Sequence, residues 1–494
     1  MESNEWPLIR VVIPAFPQIN IFTPLANKTT ALGPILIATV VNKLWGVRVE
    51  VIDENNCRRG PRDKNNLPDH AVLQRENPAT IVGFYCGLTS TMERVWKLAE
   101  FYHSQSVKTI AGGWHSHYLP EETLKHHIDV VVHGDAELVV SRLITCLLLN
   151  ENKSLENIPG ISFAKEGQIR NNPPAPQGLE NPDMDNLPFP DFGLLRYAKV
   201  KIYPIGRIRG CSMNCEFCSV KGKPRWASPQ HLFGLVSWLA ETRRARHFFI
   251  VDDRSEQDFK GTLEFFRLIA KRYGNRLHFT VQIRLETAKR TELLEAMKKA
   301  GVGVVCVGFE SPIDEDLEAM GKGYSAAKML EWTKILRKHF WVHGMFIAGY
   351  PIEGGSKINP RETVKRFRQF IRKARLDTVQ VMLPIPLVGT NLRQRLDDEK
   401  KIFPLGLVSW QKYDGTNPCF QPDKMTVEEF QNAPLMLMKG FYNYWSFFRI
   451  GLRIIVFPID YFIRGWKNWY HGWYRDVIRS AGHILVRRWR QLRS

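Results

Sequence analysis

IYPIGRIRGCSMNCEFC, residues 202–218, decides how the rest of the chain is read. Its first half is a short β-branched run that reads as a strand. Its second half is a loop in which Cys211, Cys215 and Cys218 recur at spacings of four and three. One short loop can thus aim three thiolates at a single point. Three soft sulfur ligands suit an iron–sulfur cluster or zinc. A closed zinc site wants a fourth ligand, and no Cys or His follows at zinc-finger spacing. A cubic cluster held by three cysteines leaves one iron open to another ligand. Gly210 frees the backbone before the first cysteine, and Arg207 and Arg209 put positive charge beside an anionic thiolate site.

Downstream, strand and helix patterns alternate. HFFIVDD (247–253), LHFTVQIRLE (277–286), GVVCVGFES (303–311), VHGMFIAGYP (342–351) and DTVQVMLPIP (377–386) read as strands. GTLEFFRLIAKRY (261–273) and TELLEAMKKAG (291–301) read as helices between them. With the strand before the cysteines, this predicts six βα units: a partial parallel barrel over 201–400 whose chemistry lies at the carboxyl ends of the strands.

Upstream, residues 1–165 have the same α/β rhythm. LIRVVIP (8–14), VRVEVID (47–53), TIVGFYCG (80–87), VKTIAGG (107–113) and VVVHG (130–134) read as buried parallel strands with helical stretches between them. That predicts a doubly wound, Rossmann-like domain with its ligand crevice at the strand ends. Residues 166–200 are dense in Pro, Asn and Asp, and read as a linker without a long helix or central strand.

The CxxxCxxC spacing resembles the signature loop of the radical S-adenosylmethionine (SAM) enzymes. The VGFESPIDEDLEAMGKG (307–323), GMFIAGYP (344–351) and FFIVDDRSEQDF (248–259) stretches are similar to segments of their barrel. AGGWHSHYLPEE (111–122) and DVVVHGDAE (129–137) resemble the cobalamin-binding domain that precedes many of these barrels. The resemblance implies a 4Fe–4S cluster on Cys211, Cys215 and Cys218, with the open iron chelated by SAM. It places Asp252 and Asp253 at the methionyl end, and Glu310 or Ser311 at the ribose. It makes Gly344, Ile347 and Gly349 the adenine floor, Phe217 the adenine cover, and Arg284 a partner for a carboxylate. The implied chemistry is reductive cleavage of SAM to a 5′-deoxyadenosyl radical, with an electron donor such as flavodoxin or ferredoxin. Cobalamin, if bound, would make the reaction a methylation; without it, coupling, rearrangement or oxidation would follow. The sequence departs from the classical cobalamin module in its first loop, residues 14–30, which contains no DxHxxG and no His. His115 and His117 therefore read as packing or loop residues.

A length of 494 residues with 44% hydrophobic content suffices for two or three ordinary cores. The other five cysteines are scattered and read as buried core residues. Metal-binding thiolates indicate a reducing compartment, hence a cytoplasmic protein. The start, MESNEWPLIRVVIP, lacks the layout of a signal peptide, and no run of about 18 apolar residues suggests a membrane span.

The formal charge of +19 invites acidic partners, and it is uneven: residues 441–494 carry ten Lys/Arg against two Asp. Within the helical region 401–494, Phe441, Trp445, Phe448, Leu452 and Ile455 recur at helical spacing, with Asn443, Ser446, Arg449 and Arg453 opposite. Pro458 should end that helix, and a second is expected from about Arg475. Arginine interleaved with Trp and Tyr fits a helix lying in an anionic membrane interface. The alternatives are an apolar face capping the barrel with arginines in water, or an RNA surface. Nucleic acid is not the expected partner. The substrate is expected to be a small, lipid-like molecule. A zinc-holding basic adaptor is the non-enzymatic alternative, but it would have no need of a barrel.

Overall fold

The computed structural model describes residues 6–17, 23–176, 181–354, 360–423 and 425–491. A seven-stranded sheet comes first: β1 (Leu8–Ile13), β2 (Arg48–Asp53), β3 (Ala79–Tyr85), β4 (Lys108–Gly112), β5 (Val130–Val132), β6 (Ile161–Lys165) and β7 (Gln168–Asn171). The spatial order is β2-β1-β3-β4-β5-β6-β7, with β1 to β5 parallel and β6 and β7 antiparallel. Every residue of β1 is buried, as expected of a central strand covered on both faces. Its Arg10 escapes an unpaired-charge penalty by bonding to Glu50 at 2.7 Å, Tyr102 at 3.0 Å and the Asn77 carbonyl at 2.6 Å. The strand order reverses between β1 and β3, so their carboxyl ends bound the crevice of this sheet. Of the 166–200 stretch, β7 is an edge strand, and Phe192–Leu194 forms a turn of 3-10 helix.

Six parallel strands form the second sheet: β8 (Tyr203–Ile205), β11 (His247–Ile250), β12 (His278–Ile283), β13 (Val302–Glu310), β14 (Trp341–Ile347) and β15 (Thr378–Met382). The intervening β9 (Ile208–Arg209) and β10 (Arg225–Trp226) pair antiparallel and bracket the cysteine loop. The sheet runs β15-β14-β13-β12-β11-β8 and is left open between β8 and β15, as a partial barrel. Side chains alternate: Val342 and Phe346 of β14 join the main core, while Ile347 packs in a separate cluster on the other face.

After β15 the chain crosses back to the first sheet. Trp410 joins the core beside the Met92–Ser104 helix, and its Nε1 donates to Glu122 at 2.9 Å. Trp114 Nε1 donates to the Val388 carbonyl at 2.8 Å. Three helices end the chain: Val427–Phe441, Trp445–Ile455 and Phe457–Gln491. The first bears a capping box between Thr426 and Glu429. The helix before Pro458 ends as expected, but the next starts at Phe457 rather than near Arg475. Proline is tolerated in a first helical turn, and the break falls instead at Gly465, whose φ is 74°. Arg479 donates to the Leu376 carbonyl at 2.7 Å, and Arg475 lies 3.3 Å from Asp377. The tail thus closes the barrel floor, at the start of β15 and opposite the cysteines.

Candidate active site

The cysteine loop is held at almost every turn by residues from strand ends. Gly210 has a φ of +83°, and a Cβ there would lie 2.9 Å from the Lys223 carbonyl oxygen, so only glycine fits. Its N–H donates to Asp253 Oδ2 at 2.6 Å, and its carbonyl accepts from Gln257 Nε2 at 2.8 Å. Asp252 Oδ1 accepts from the N–H groups of Arg207 (2.7 Å) and Ile208 (3.0 Å). Burial pushes both carboxyls above the ordinary aspartate range, against these hydrogen bonds. Lys221 Nζ donates to the Cys215 carbonyl at 2.9 Å.

Glu216, inside the loop, is the residue that sequence reasoning missed. Arg395 grips it twice, Nε to Oε1 at 2.6 Å and Nη2 to Oε2 at 3.2 Å, and also donates to the Pro351 carbonyl at 2.9 Å. Tyr350 donates a further bond to Glu216. The Asn391–Asp398 helix after β15 therefore clamps the cysteine loop from above. A charged residue between two cysteines was the available signal, but its partner is 179 positions away.

Cys215 is buried, and Cys211 and Cys218 are half-buried. Burial pushes the Cys218 thiol up, and the charges of Cys215 and Cys211 add to that, which places the three in electrostatic reach of one another. Among the described residues no three Cys, His, Asp or Glu side chains are gathered closely enough to hold a metal ion. The donor set is nonetheless selective. Glu216 is committed to Arg395, so the loop offers sulfur alone, as an iron–sulfur cluster requires. Arg284 and Lys322 both feel the Cys215 charge, which lets them offset anionic thiolates.

Of the other expected site residues, Phe217 and Ile347 pack in one apolar cluster with Met320, Tyr350 and Phe430. Gly349 adjoins it: a Cβ there would lie 2.6 Å from the Phe430 ring. Glu310, with φ of 60°, accepts from Lys322 Nζ at 2.8 Å, and that ammonium stands 5.6 Å from the Phe217 ring centre. Burial depresses the lysine, but Glu310 reverses this and its pKa is pushed up to about 12. Arg284, at the end of β12, pairs with Glu286 at 2.7 Å and lies over the Tyr324 ring.

Three expected residues point elsewhere. Ser311 is fully buried, donates to Asp316 and accepts from Ile313 N–H, so its hydroxyl is taken up within its own turn. Gly344 faces the helical layer, where a Cβ would meet Leu376 at 2.6 Å and Phe346 at 3.0 Å; it is three residues from Ile347 on an alternating strand. The Asp252 carboxylate is taken up by backbone and by Ser255.

The two sheets meet at this loop. Arg209 binds Asp135 at 2.9 Å and Glu137 at 2.6 Å, and Arg225 binds Asp135 at 2.7 Å. Burial raises Asp135, but the two arginines win and hold it below the ordinary range. A cavity of about 500 Å3 lies where the carboxyl ends converge, with Asp53, Tyr85, Thr89 and Trp114 on one side and Ser219 and Met382 on the other. A second, of about 410 Å3, follows the first sheet from Leu32 and Gly83 to Asp253. His115 is fully buried beside Thr89 and Glu122, and His117 meets His133 at 3.1 Å, as packing residues do. Residues 18–22 of the first loop lie outside the described residues.

Residues 205–360 match the model of the radical SAM superfamily. These residues form a radical SAM domain. The adaptor reading falls with that match and with the barrel. An uncharacterized methyltransferase of Pyrococcus horikoshii is 28% identical over 430 residues, covering 84% of this chain and 87% of that one. The anaerobic magnesium-protoporphyrin IX monomethyl ester cyclase of Cereibacter sphaeroides is 23% identical over 67% of this chain and 55% of its own length. In fold, the chain is similar to the radical SAM methyltransferase TsrM from Kitasatospora setae with cobalamin and a 4Fe–4S cluster bound. The TM-score is 0.64 at 16% identity, covering 87% of this chain and 81% of that one.

Proposed function

We propose that this enzyme is a cobalamin-dependent radical SAM methyltransferase acting on an unactivated carbon of a hydrophobic small molecule. The observation that carries the reading is the cavity between the two sets of strand ends, where a group held by the first sheet would face the mouth of the barrel. Cys211, Cys215 and Cys218 would hold the cluster. The residues of the first domain fit cobalamin: Gly33, Gly83, Gly112 and Gly134 line the 410 Å3 cavity, and open space lies where each would carry a side chain. When bound, the cluster supplies the electron that cleaves SAM, and cobalamin supplies the methyl group. Phe217, Ile347 and Gly349 would enclose the adenine, and Asp253 fixes the loop through Gly210. Lys322 and Arg284 would balance the thiolates and the SAM carboxylate, and Glu310 sets the lysine's position. With His115 and His117 engaged within the fold, cobalt would receive no histidine from this chain. An external donor such as flavodoxin or ferredoxin would supply the electron.

The test is anaerobic reconstitution with iron, sulfide and cobalamin, followed by SAM and a low-potential reductant. The reading expects both 5′-deoxyadenosine and S-adenosylhomocysteine, and expects Gly83→Leu/Gly112→Leu to lose cobalamin while keeping iron. A wild-type protein that never retains cobalamin would overturn it. The missing DxHxxG and the cyclase relative favour a second, non-methylating reading, in which 5′-deoxyadenosine forms without S-adenosylhomocysteine.

A further inference from the structure

The Trp445–Ile455 helix is amphipathic, but it presents the wrong face to the protein. Ser446 is fully buried, and Arg449 and Arg453 turn inward onto one carboxylate, Asp476, at 2.9 and 2.8 Å. Asp476 is itself buried, so the two arginines are spent on joining this helix to the next. The apolar face is left in solvent: Trp445 is 52% exposed, Phe448 62% and Ile455 77%. The barrel-capping alternative turned the apolar face inward and the arginines out, which is the reverse of this arrangement.

The surface continues onto the last helix. Phe447 packs edge-on against His483, and the adjoining Ile484 and Leu485 are exposed. Trp466 and Tyr470 are exposed as well, their rings stacked 6.0 Å apart. Single exposed apolar residues need no explanation, but a contiguous aromatic and aliphatic face marks an interaction site. Its chemistry selects the partner. Trp and Tyr are the residues of a membrane–water interface, with an apolar body and a polar edge. Arg487 and Arg488, next to Ile484 and Leu485, are exposed and put positive charge beside this face. Among the described residues no helix is long and apolar enough to cross a membrane, so the face would lie on a bilayer rather than span it.

We propose that the Trp445–Gln491 hairpin docks the enzyme on an anionic lipid bilayer by burying Trp445, Phe448, Leu452 and Ile455 among the headgroups. The docked face lies at the barrel floor, which leaves the strand-end cavity open on the opposite side. The inference does not depend on the radical chemistry, and its test needs no turnover. The iron-loaded full-length protein is floated with vesicles of phosphatidylglycerol mixed with phosphatidylcholine. It should rise with the vesicles at low salt, and high salt should weaken this by screening the arginines. Because the three side chains are already in solvent, Trp445→Gln/Phe448→Gln/Ile455→Gln should keep its iron and its thermal transition while partitioning at least tenfold more weakly. A wild-type protein that ignores these vesicles at low salt overturns the proposal. So does a triple variant that floats as well as wild type. A wild-type dimer that the triple variant converts to monomer, without vesicle binding by either, would show that a second copy covers the face.

Discussion

Arg395→Met should loosen the cysteine loop without unfolding the barrel. The guanidinium makes two bonds to Glu216 and one to the Pro351 carbonyl, and both charged side chains are only 19% exposed. A solvent-exposed pair would be worth less than about 1 kcal/mol, while breaking a buried pair costs about 3–5 kcal/mol by stranding the other charge. At one-fifth exposure water partly rescues Glu216, which puts the loss at about 2–3 kcal/mol. In a chain with two sheets this should appear as local opening rather than a shift of one global transition. At a factor of ten per 1.4 kcal/mol, the open loop becomes about 30- to 150-fold more populated. The assay is the rate at which a ferrous chelator strips the reconstituted cluster, followed by loss of its absorbance. Tyr350→Phe removes one bond to a charged acceptor and should accelerate stripping about tenfold, for a cost of about 1.5 kcal/mol. Adding Glu216→Gln to Arg395→Met should recover part of the loss, since the stranded charge is gone. If Arg395→Met loses its cluster within twofold of the wild-type rate, the clamp does not hold the loop.

Cys211→Ala/Cys215→Ala/Cys218→Ala should bind almost no iron after anaerobic reconstitution while keeping the wild-type circular dichroism. Burial raises the Asp53 carboxyl to about 6, so its contribution is most favourable at low pH and is lost as pH rises from about 4 through 6. Asp53→Asn should thus stabilise the first domain against urea by on the order of 3 kcal/mol at pH 8 and by almost nothing at pH 4. Its neighbour has the opposite sign. Burial acts to raise Glu54, but His70 and Arg94 hold it near 2, a stability present above pH 4.5 and lost as pH falls towards 2. Glu54→Gln should cost on the order of 3 kcal/mol at pH 7, read from the same urea midpoints. Gly349→Ala should weaken binding of S-adenosylhomocysteine at least tenfold by equilibrium dialysis, because φ is +73° and the new methyl meets Phe430. Gly354→Ala, with φ of +74° and open space, should bear the backbone cost of about 1–2 kcal/mol alone and leave binding unchanged.

Strand order was legible because it is written locally, in β-branched runs separated by helical periods. The cysteine spacing was legible in the same local way, as three thiols on one short loop. Facing was less legible. Asp252, Ser311 and Gly344 sit in the stretches where the resemblance put them, yet hydrogen bonds of Asp252 to Arg207 and Ile208, the bond of Ser311 to Asp316, and packing at Gly344 on Leu376 turn them from the mouth. A one-residue difference in strand register exchanges the two faces, and no motif specifies it. The tail was less legible for another reason. Hydrophobic periodicity divided the Trp445–Ile455 helix into two faces but did not say which would turn inward, and one buried carboxylate decided that. Asp476 lies 27 residues beyond Arg449, so no local pattern could reveal that it would draw the arginines in.

The join between the two domains is also electrostatic, and it lies at the cysteine loop rather than away from it. Arg209 immediately precedes Gly210 and Cys211, and its guanidinium reaches Asp135 and Glu137 in the turn after β5. Arg225, on the strand that closes the loop, reaches Asp135 from the other side. The strand ends of the first sheet are thereby tied to the residues that begin and close the proposed cluster loop. Trp114 and Trp410 tie the same two domains through bonds to Val388 and Glu122. In the proposed reaction a methyl donor on one sheet and a radical over the other would have to meet at a fixed separation, which a flexible linker between independent domains could not set. The acidic turn and the basic pair bracketing the cysteines supply that constraint. Arg209 and Arg225 also offset the charge of Asp253, which holds the first turn of the cysteine loop, as well as that of Asp135.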